Sequence, residues 1–415
     1  MEKLNDKKKI NLFIAICSLV YFTSYLTRKN YDAALVEIYT SMDIPKTLAS
    51  LASTGAVITY GAGQLLSGVL GDKLKPRNII FCGLIVTSIC NILMPLADNI
   101  YPMIAIWCIN GLAQAMMWPP LVKIMSETLD SASYKKAVLY VTVASSVATI
   151  LIYLLIPLCI QALSWKLAFY ISSAAAAVVC AVWMIKIRGF ERITGSVSAG
   201  KKQAVEAKEN APVFNKKYLL ASGIIPIAIC IVLQGTLRDG VTTWMPTIVT
   251  EVFSLDTSVS ILSTVALPLL GIFSSAIAQA IEKKIGNEVS SSAVFFGVSL
   301  VCCILLVFTN SAVIISVLLM AIITACMHGI NLMLVCEVPN YFAKFNKVST
   351  VSGILNSFTY LGSAVSIYGI AVVAEKFNDW NVNFKLWAAI SAFGILFCMI
   401  ALSKWKKFRR SANEN

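Results

Sequence analysis

Residues 21–32 read Tyr21-Phe22-Thr23-Ser24-Tyr25-Leu26-Thr27-Arg28-Lys29-Asn30-Tyr31-Asp32, placing three formal charges inside an apolar run that extends from 11 to 39. How this run is read decides the fold. A helix that stopped at Thr27 would leave Arg28 and Lys29 at a surface. A helix that continues to Tyr39 is about 44 Å long at about 1.5 Å per residue and carries its charges into the bilayer. Tyr21, Tyr25, Arg28 and Asp32 follow i, i+4, i+7, i+11 spacing and so share one face. That favours the continuous helix, with this face lining a polar cavity.

The rest of the chain agrees that its solvent is lipid. Of 415 residues, 58% are hydrophobic and 13% charged, against about 25% charged in soluble domains. So few charges cannot cover a soluble core, which excludes a water-soluble enzyme. Apolar runs long enough for a bilayer core of about 30 Å fall near 11–39, 47–70, 79–96, 102–125, 137–163 and 165–187. Six more fall near 218–252, 258–281, 290–309, 312–338, 349–374 and 384–403. The expected architecture is all-α, with twelve transmembrane helices in two pseudo-symmetric six-helix bundles, 1–187 and 218–415, joined by a cytoplasmic linker over 188–217. The first apolar run has no small-residue cleavage site, so no removable signal peptide is expected. Prolines 95, 119, 120, 157, 226, 246 and 268 in or beside the runs are expected to bend helices.

The halves repeat. An ungapped shift of 210 places Arg28 on Arg238, Ser53-Thr54-Gly55-Ala56 on Ser263-Thr264-Val265-Ala266, Asp72 on Glu282 and Trp118 on His328. Two parallel six-helix repeats about an axis along the membrane normal hold a ligand near the midplane between them. Lys and Arg outnumber Asp and Glu by 34 to 21, a surplus that could signal nucleic acid until it is mapped. With both termini and the linker on one side, that side takes 27 of the 34 bases and the other takes 4. Both termini are therefore expected in the cytoplasm of a plasma (bacterial inner) membrane, and the surplus reports topology rather than a nucleic-acid partner. Lys201-Lys202 in the linker suit anionic headgroups.

The three remaining bases, Arg28, Lys29 and Arg238, lie within spans. An intramembrane arginine costs several kcal/mol unless it faces protein or water, and it marks a substrate path. In Gln234-Gly235-Thr236-Leu237-Arg238-Asp239-Gly240, Arg238 shares a face with Gln234 and Thr242. Two guanidiniums facing each other across the pseudo-twofold axis make a fork-shaped receptor for phosphate or carboxylate. The competing reading pairs Arg28 with Asp32 and Lys29 with Asp239 as structural ion pairs. Two loops add a second sign of transport. Gly68-Val69-Leu70-Gly71-Asp72-Lys73-Leu74-Lys75-Pro76-Arg77 and its repeat mate Glu282-Lys283-Lys284-Ile285-Gly286 set acid and bases at helix ends, where they can latch neighbouring helices. His328, the single histidine, reads either as a satisfied polar group between helices or as a cavity residue that binds the anion or carries a proton. The twelve cysteines include no CxxC pair and read as small hydrophobes, and neither a metal site nor a cofactor is expected.

The loop Gly68–Arg77 resembles the GxxxD(R/K)xxxx(R/K) signature of the major facilitator superfamily. Four further stretches sharpen the match: Arg28-Lys29-Asn30, Asn110-Gly111-Leu112-Ala113-Gln114-Ala115-Met116-Met117-Trp118-Pro119-Pro120, Leu237-Arg238-Asp239-Gly240 with Trp244-Met245-Pro246-Thr247, and Tyr360-Leu361-Gly362. Together they resemble the organophosphate:inorganic phosphate antiporters, which include the bacterial glycerol-3-phosphate and hexose-6-phosphate transporters. The resemblance implies rocker-switch exchange with a phosphoryl group held by Arg28 and Arg238 and surrounded by Tyr21, Tyr25 and Tyr360. Where glycerol-3-phosphate members have a helix-two lysine this chain has Gln64, and Ser145 stands where they have a helix-five histidine. Asp32 and Asp239 are added acids, and the exchange of cations for acids weakens the pull on a dianion.

The expectation is a monomeric, non-enzymatic secondary carrier for a small anionic solute, binding through Arg28, Arg238, Tyr21, Tyr25, Gln64, Trp118, His328 and Tyr360. Lys29, Asp32, Asp239, Asp72, Lys73, Arg77 and Glu282 would serve gating or coupling. The leading reaction is organophosphate or sugar phosphate exchanged for inorganic phosphate. Its rivals are proton symport of a carboxylate or zwitterion, and a transporter-like membrane sensor. No GxxxxGK(S/T) motif is present, so the driving force is a gradient.

Overall fold

The computed structural model describes residues 4–73, 75–194, 222–309, 312–345 and 348–413. The chain divides into two compact units, Met1–Glu206 and Ala207–Asn415. The first contains α1 (Lys7–Ser41), α2 (Lys46–Lys73), α3 (Pro76–Leu93), α4 (Ile100–Gln114), α5 (Trp118–Thr128), α6 (Ser131–Ala162) and α7 (Lys166–Thr194). The second contains α8 (Ile224–Phe253), α9 (Thr257–Ser263), α10 (Ala266–Ile285), α11 (Glu288–Phe308), α12 (Val313–Asn331), α13 (Val348–Phe377) and α14 (Trp380–Asn413).

Among the described residues, eleven spans are long and apolar enough to cross a membrane. The twelfth expected span is α2, a helix of 28 residues. Ser50, Ser53, Thr54, Thr59, Tyr60 and Gln64 dilute its apolar character, because much of it packs against protein rather than lipid. The question posed by residues 21–32 is answered by α1, which runs unbroken for 35 residues through Arg28, Lys29 and Asp32. Helix α7 continues past Arg188 to Thr194, so the expected linker begins as helix. The rest of that linker lies outside the described residues.

Each fourth span is interrupted. In the first unit the break at Ala115–Met117 separates α4 from α5, whose first turn holds Pro119 and Pro120. In the second, α12 passes into a π-helical turn at Leu332–Glu337 and a 3-10 stretch at Val338–Phe345. Pro95 sits in a 3-10 turn at Met94–Leu96, while Pro157 and Pro246 lie inside α6 and α8.

The two units use the same pairings. In the first, α1 packs along α6 and α7, α2 along α4, and α3 along α7. In the second, α8 packs along α13 and α14, α10 along α12, and α11 along α14. Even polar contacts recur: Ser88 meets Ser173 at 2.9 Å between α3 and α7, and Ser299 meets Ser391 at 3.1 Å between α11 and α14. These matching serines stand 211 and 218 residues apart, so the repeat needs gaps that an unbroken shift of 210 does not contain.

Helices in lipid gain nothing from hiding apolar surface, so close backbone approach and buried hydrogen bonds hold them together. Glycines create the seams. On α2 and α4, Gly111 lies against the Ala56 carbonyl, and Thr59 Oγ1 donates to the Cys108 carbonyl at 2.7 Å. On α8 and α13, Gly235 lies against the Thr359 carbonyl and Gly362 against that of Val232. Ser366 Oγ donates to the Thr236 carbonyl at 2.6 Å and Trp244 Nε1 to that of Ile367 at 2.9 Å.

The Gly235 seam gives a direct test. A Gly235→Leu substitution meets the Thr359 backbone, which has no flexible end to move aside, so we expect a loss of about 1–3 kcal/mol from overpacking. At Gly297 an added Cβ meets nothing within 4 Å, and Gly297→Leu should leave stability unchanged. Unfolding temperatures of the two detergent-purified variants check this, and equal values would reject the seam.

Candidate substrate-binding site

In the first unit the predicted residues Tyr21, Tyr25, Arg28 and Trp118 come together. The Arg28 guanidinium lies 4.3 Å from the centre of the Tyr25 ring and 4.9 Å from that of Tyr60. Tyr21 packs on Tyr25 at 5.1 Å and on Trp118 at 4.8 Å between ring centres. Aromatic faces stabilise a partly desolvated guanidinium by about 0.5–2 kcal/mol while leaving its planar edge for an oxyanion. Tyr60, one turn before Gln64 on α2, was not anticipated. Its spacing from Gln64 is the signal that could have identified it. The Gln64 Nε2 is buried and has no hydrogen-bond partner among the described residues.

The charges next to Arg28 correct the expected pairings. Lys29 Nζ bonds Asp32 Oδ2 at 3.0 Å within α1, and Ser53 Oγ on α2 donates to Asp32 Oδ1 at 2.6 Å. Lys29 is thus held one turn along its own helix rather than by Asp239. Asp239 instead grips its neighbour, with Arg238 Nε donating to Oδ1 at 2.8 Å and Nη2 to Oδ2 at 2.9 Å. Side chains adjacent to or one turn from each other on one helix reach one another without any helix moving, which favours the intrahelical pairs.

Behind Arg28, a buried polar network fixes α1. Ser24 Oγ donates to Gln114 Oε1 at 2.5 Å, and Gln114 Nε2 donates to the hydroxyls of Thr27 at 2.9 Å and Thr87 at 2.8 Å. Asn110 and Asn91 amides both reach the Thr27 carbonyl, at 3.2 and 3.1 Å, and Asn30 donates to Asn91 at 2.6 Å. Asn110 and Gln114 thus act through α1, setting the rotation that presents Arg28. The counterpart of Ser24 in the second unit is Gln234, whose Nε2 donates to the Met327 carbonyl of α12 at 3.0 Å.

Other predicted residues are placed separately. Thr242 Oγ1 bonds the Arg238 carbonyl at 2.7 Å, so it braces the helix rather than extending the polar face. His328 is exposed on α12, its ring edge close to the space beside Gly271 on α10. Tyr360 is half-buried on α13. Arg77 bonds Asn78 Oδ1 at 3.3 Å, and its carbonyl accepts from Trp183 Nε1 at 3.1 Å. The side chains of Asp72 and Lys73 lie outside the described residues.

Glu282 lies in the last turn of α10, but the acid that fastens this corner is Glu288, the first residue of α11 and only 3% exposed. It accepts from Tyr341 Oη at 2.6 Å and Trp405 Nε1 at 3.0 Å, with Arg409 Nη1 at 3.7 Å. Arg409 also donates to the carbonyl of Gly286, whose positive φ of 69° ends α10. Sequence reasoning fixed on the repeat mate of Asp72 and passed over an acid next to the N-cap Asn287.

Residues 17–367 match the family model described as Major Facilitator Superfamily. The chain belongs to that superfamily. A glycerol-3-phosphate transporter of Bacillus subtilis (strain 168) is 23% identical over 98% of this chain and 97% of its own. A probable hexose phosphate transport protein of Chlamydia trachomatis serovar D is 32% identical over 26% of this chain, and the match spans only 24% of that relative. The membrane sensor protein UhpC of Escherichia coli (strain K12) is 23% identical over 57% of this chain and 56% of its own. Among solved structures, a bacterial homolog of the human lysosomal transporter Spinster, inward-facing and occupied, superposes with a TM-score of 0.73 at 12% identity over 98% of both chains. The facilitator fold expected from the sequence is therefore the fold observed.

The Lys29–Asp32 pair predicts a measurable coupling. Asp32→Asn should destabilise the purified protein more than the double variant Lys29→Gln/Asp32→Asn, because the single change strands an ammonium in a largely buried position. A coupling of about 0.5–3 kcal/mol is expected from the thermal or denaturant unfolding of all four species. Strict additivity would show that the pair does no work.

Proposed function

We propose that this facilitator is a secondary carrier that exchanges a small organophosphate, such as a sugar phosphate, for inorganic phosphate by alternating access. The observation that carries the reading is the setting of Arg28: a guanidinium deep in a membrane helix, held between the faces of Tyr25 and Tyr60. One turn along α2 from Tyr60, Gln64 offers a buried amide nitrogen. A fork of N–H donors flanked by aromatic surface suits a phosphoryl group on a polar organic body. Arg238, related to Arg28 by the repeat, is the second anion-contacting residue, with Tyr21, Trp118, His328 and Tyr360 completing the contacts. The relatives named for glycerol phosphate and hexose phosphate transport support the same substrate class.

In this reading the chain works as a monomer in the bacterial inner membrane, with both termini in the cytoplasm and two bundles, 1–187 and 218–415, linked through 188–217. Asp72, Lys73 and Arg77 at one loop and Glu282 at its repeat mate act as latches between helices. Lys29, Asp32 and Asp239 set the charge of the path.

A second reading is proton-coupled symport of a carboxylate or zwitterion, favoured by the two acids Asp32 and Asp239 far from any helix end. Reconstitution separates the two. Phosphate-loaded proteoliposomes should take up labelled phosphate by counterflow, unchanged by an imposed proton gradient. An absence of counterflow would sink the exchanger, and uptake that follows the proton gradient would establish the symporter. Binding without any uptake would place the chain with the membrane sensors.

Arg28→Lys and Arg238→Lys should each abolish uptake while expression and unfolding temperature stay near wild type, since a point charge cannot reproduce a planar fork. Wild-type rates in either variant would reject the anion-contacting role.

A further inference from the structure

Helix α14 outruns its own apolar stretch. The apolar run closes near 403, yet the helix continues to Asn413 and adds Lys404, Lys406, Lys407, Arg409 and Arg410 to its end. That end is docked on its own unit. Trp405 and Phe408 are buried, with Trp405 against Tyr341 at 5.2 Å between ring centres and Phe408 stacked on Phe342 at 5.1 Å. Arg409 donates to the Gly286 carbonyl and lies 3.7 Å from Glu288. The tail is therefore tied to the corner between α10 and α11, where the last turn of α10 carries the exposed Lys283 and Lys284.

The opposite face of α14 is open. Leu396, Met399, Ser403, Lys407 and Arg410 follow i, i+3, i+7, i+11, i+14 spacing, so they form one stripe along the helix. All five are exposed, Leu396 and Met399 by 51% and 65%. The stripe is apolar within the span and cationic beyond it, and Lys407 lies about 12 Å past Met399 at about 1.5 Å per residue. We propose that this stripe binds an anionic phospholipid, its phosphodiester held by Lys407 and Arg410 and one acyl chain lying on Leu396 and Met399.

Three features favour a lipid over a soluble anion. The cations adjoin exposed apolar side chains that a small anion would not use. Of the two acids near this corner, Glu282 is half-buried and Glu288 is buried and engaged by Tyr341 and Trp405, so the exposed charges here among the described residues are cationic. Packing at Trp405 and Phe408 also fixes the helix in advance, so that binding orders side chains rather than backbone. The site lies within the second unit and does not depend on which solute is carried.

The test uses the full chain in detergent micelles doped with phosphatidylglycerol or with phosphatidylcholine of the same acyl length. Unfolding temperature followed against lipid content gives an affinity, and native mass spectrometry counts the lipid retained. Phosphatidylglycerol should bind about thirtyfold more tightly than phosphatidylcholine, at about fivefold for each of the two cations. Lys407→Gln/Arg410→Gln should erase that preference and leave the unfolding temperature in phosphatidylcholine unchanged. Lys376→Gln/Lys385→Gln, which removes two exposed cations near the turn between α13 and α14, should keep it. Dimethyl phosphate, the same phosphodiester without acyl chains, should not stabilise the protein.

Equal affinities for the two lipids overturn the proposal, as does a preference that survives in the Lys407/Arg410 variant or falls equally in the Lys376/Lys385 variant. Stabilisation by dimethyl phosphate to the same extent would assign the cations to a soluble anion and overturn the lipid site. If the double variant is not recovered, Lys407→Gln and Arg410→Gln are measured singly, each with an expected loss of about fivefold. No loss in either overturns the proposal.

Discussion

Charge inside hydrocarbon is the constraint on which the rest of this molecule depends. A lone guanidinium or ammonium in the bilayer core costs several kcal/mol or more, and α1 carries one of each side by side. Every notable feature around them reduces that cost. Lys29 is neutralised one turn along its own helix, the acid that does so is held by a hydroxyl from α2, and Arg28 is flanked by two aromatic faces. Arg238 receives a two-point carboxylate from its neighbour in sequence. None of these devices removes a charge from the path. They keep it folded, oriented and affordable.

Orientation matters as much as neutralisation, because a guanidinium recognises a phosphoryl group only in plane. The rotation of α1 about its axis is fixed by Gln114, Asn110, Asn91 and Thr87, which address Ser24, Thr27 and Asn30 along the helix on either side of Arg28 in sequence. In α8 the same task falls to backbone contact, with Gly235 and Gly240 seated on α13 and Trp244 bonded to it. One unit therefore sets its arginine through a side-chain network and the other through a glycine seam. Both solutions are rigid in cross-section, which suits a helix that must move as part of a body rather than twist within it.

Much of this was legible in the sequence, and what was not has identifiable causes. The long reading of residues 11–39 followed from the shared face of Tyr21, Tyr25, Arg28 and Asp32, because helical periodicity is a local property. The use of the same helix pairings in both units agrees with the repeat read from the sequence. The ungapped register did not hold, since Ser88 and Ser173 match Ser299 and Ser391 at unequal offsets, and a few aligned charges cannot reveal loop-length differences. Tyr60 was missed although it lies one turn from Gln64 on the same helix, because its place beside Arg28 depends on which face α2 turns toward α1. Glu288 was missed for a related reason: its partners Tyr341 and Trp405 are more than fifty residues away. The competing pairing of Arg28 with Asp32 and Lys29 with Asp239 gave way to Lys29 with Asp32 and Arg238 with Asp239, because sequence spacing does not say which of two adjacent bases an acid one turn away will take.

The two repeat-related arginines also show how far an internal repeat constrains function. Arg28 and Arg238 occupy equivalent positions, yet one lies between tyrosine rings and the other in a carboxylate clamp. Aromatic faces leave a guanidinium's positive charge and in-plane donors largely intact, because they interact above and below the plane. A bidentate carboxylate uses the plane itself and cancels the charge. A further in-plane acceptor at Arg238 therefore meets a donor that must be shared with or released by Asp239. Release would cost that carboxylate its two-point contact, so occupancy of Arg238 by another acceptor and the charge state of Asp239 are coupled by electrostatics.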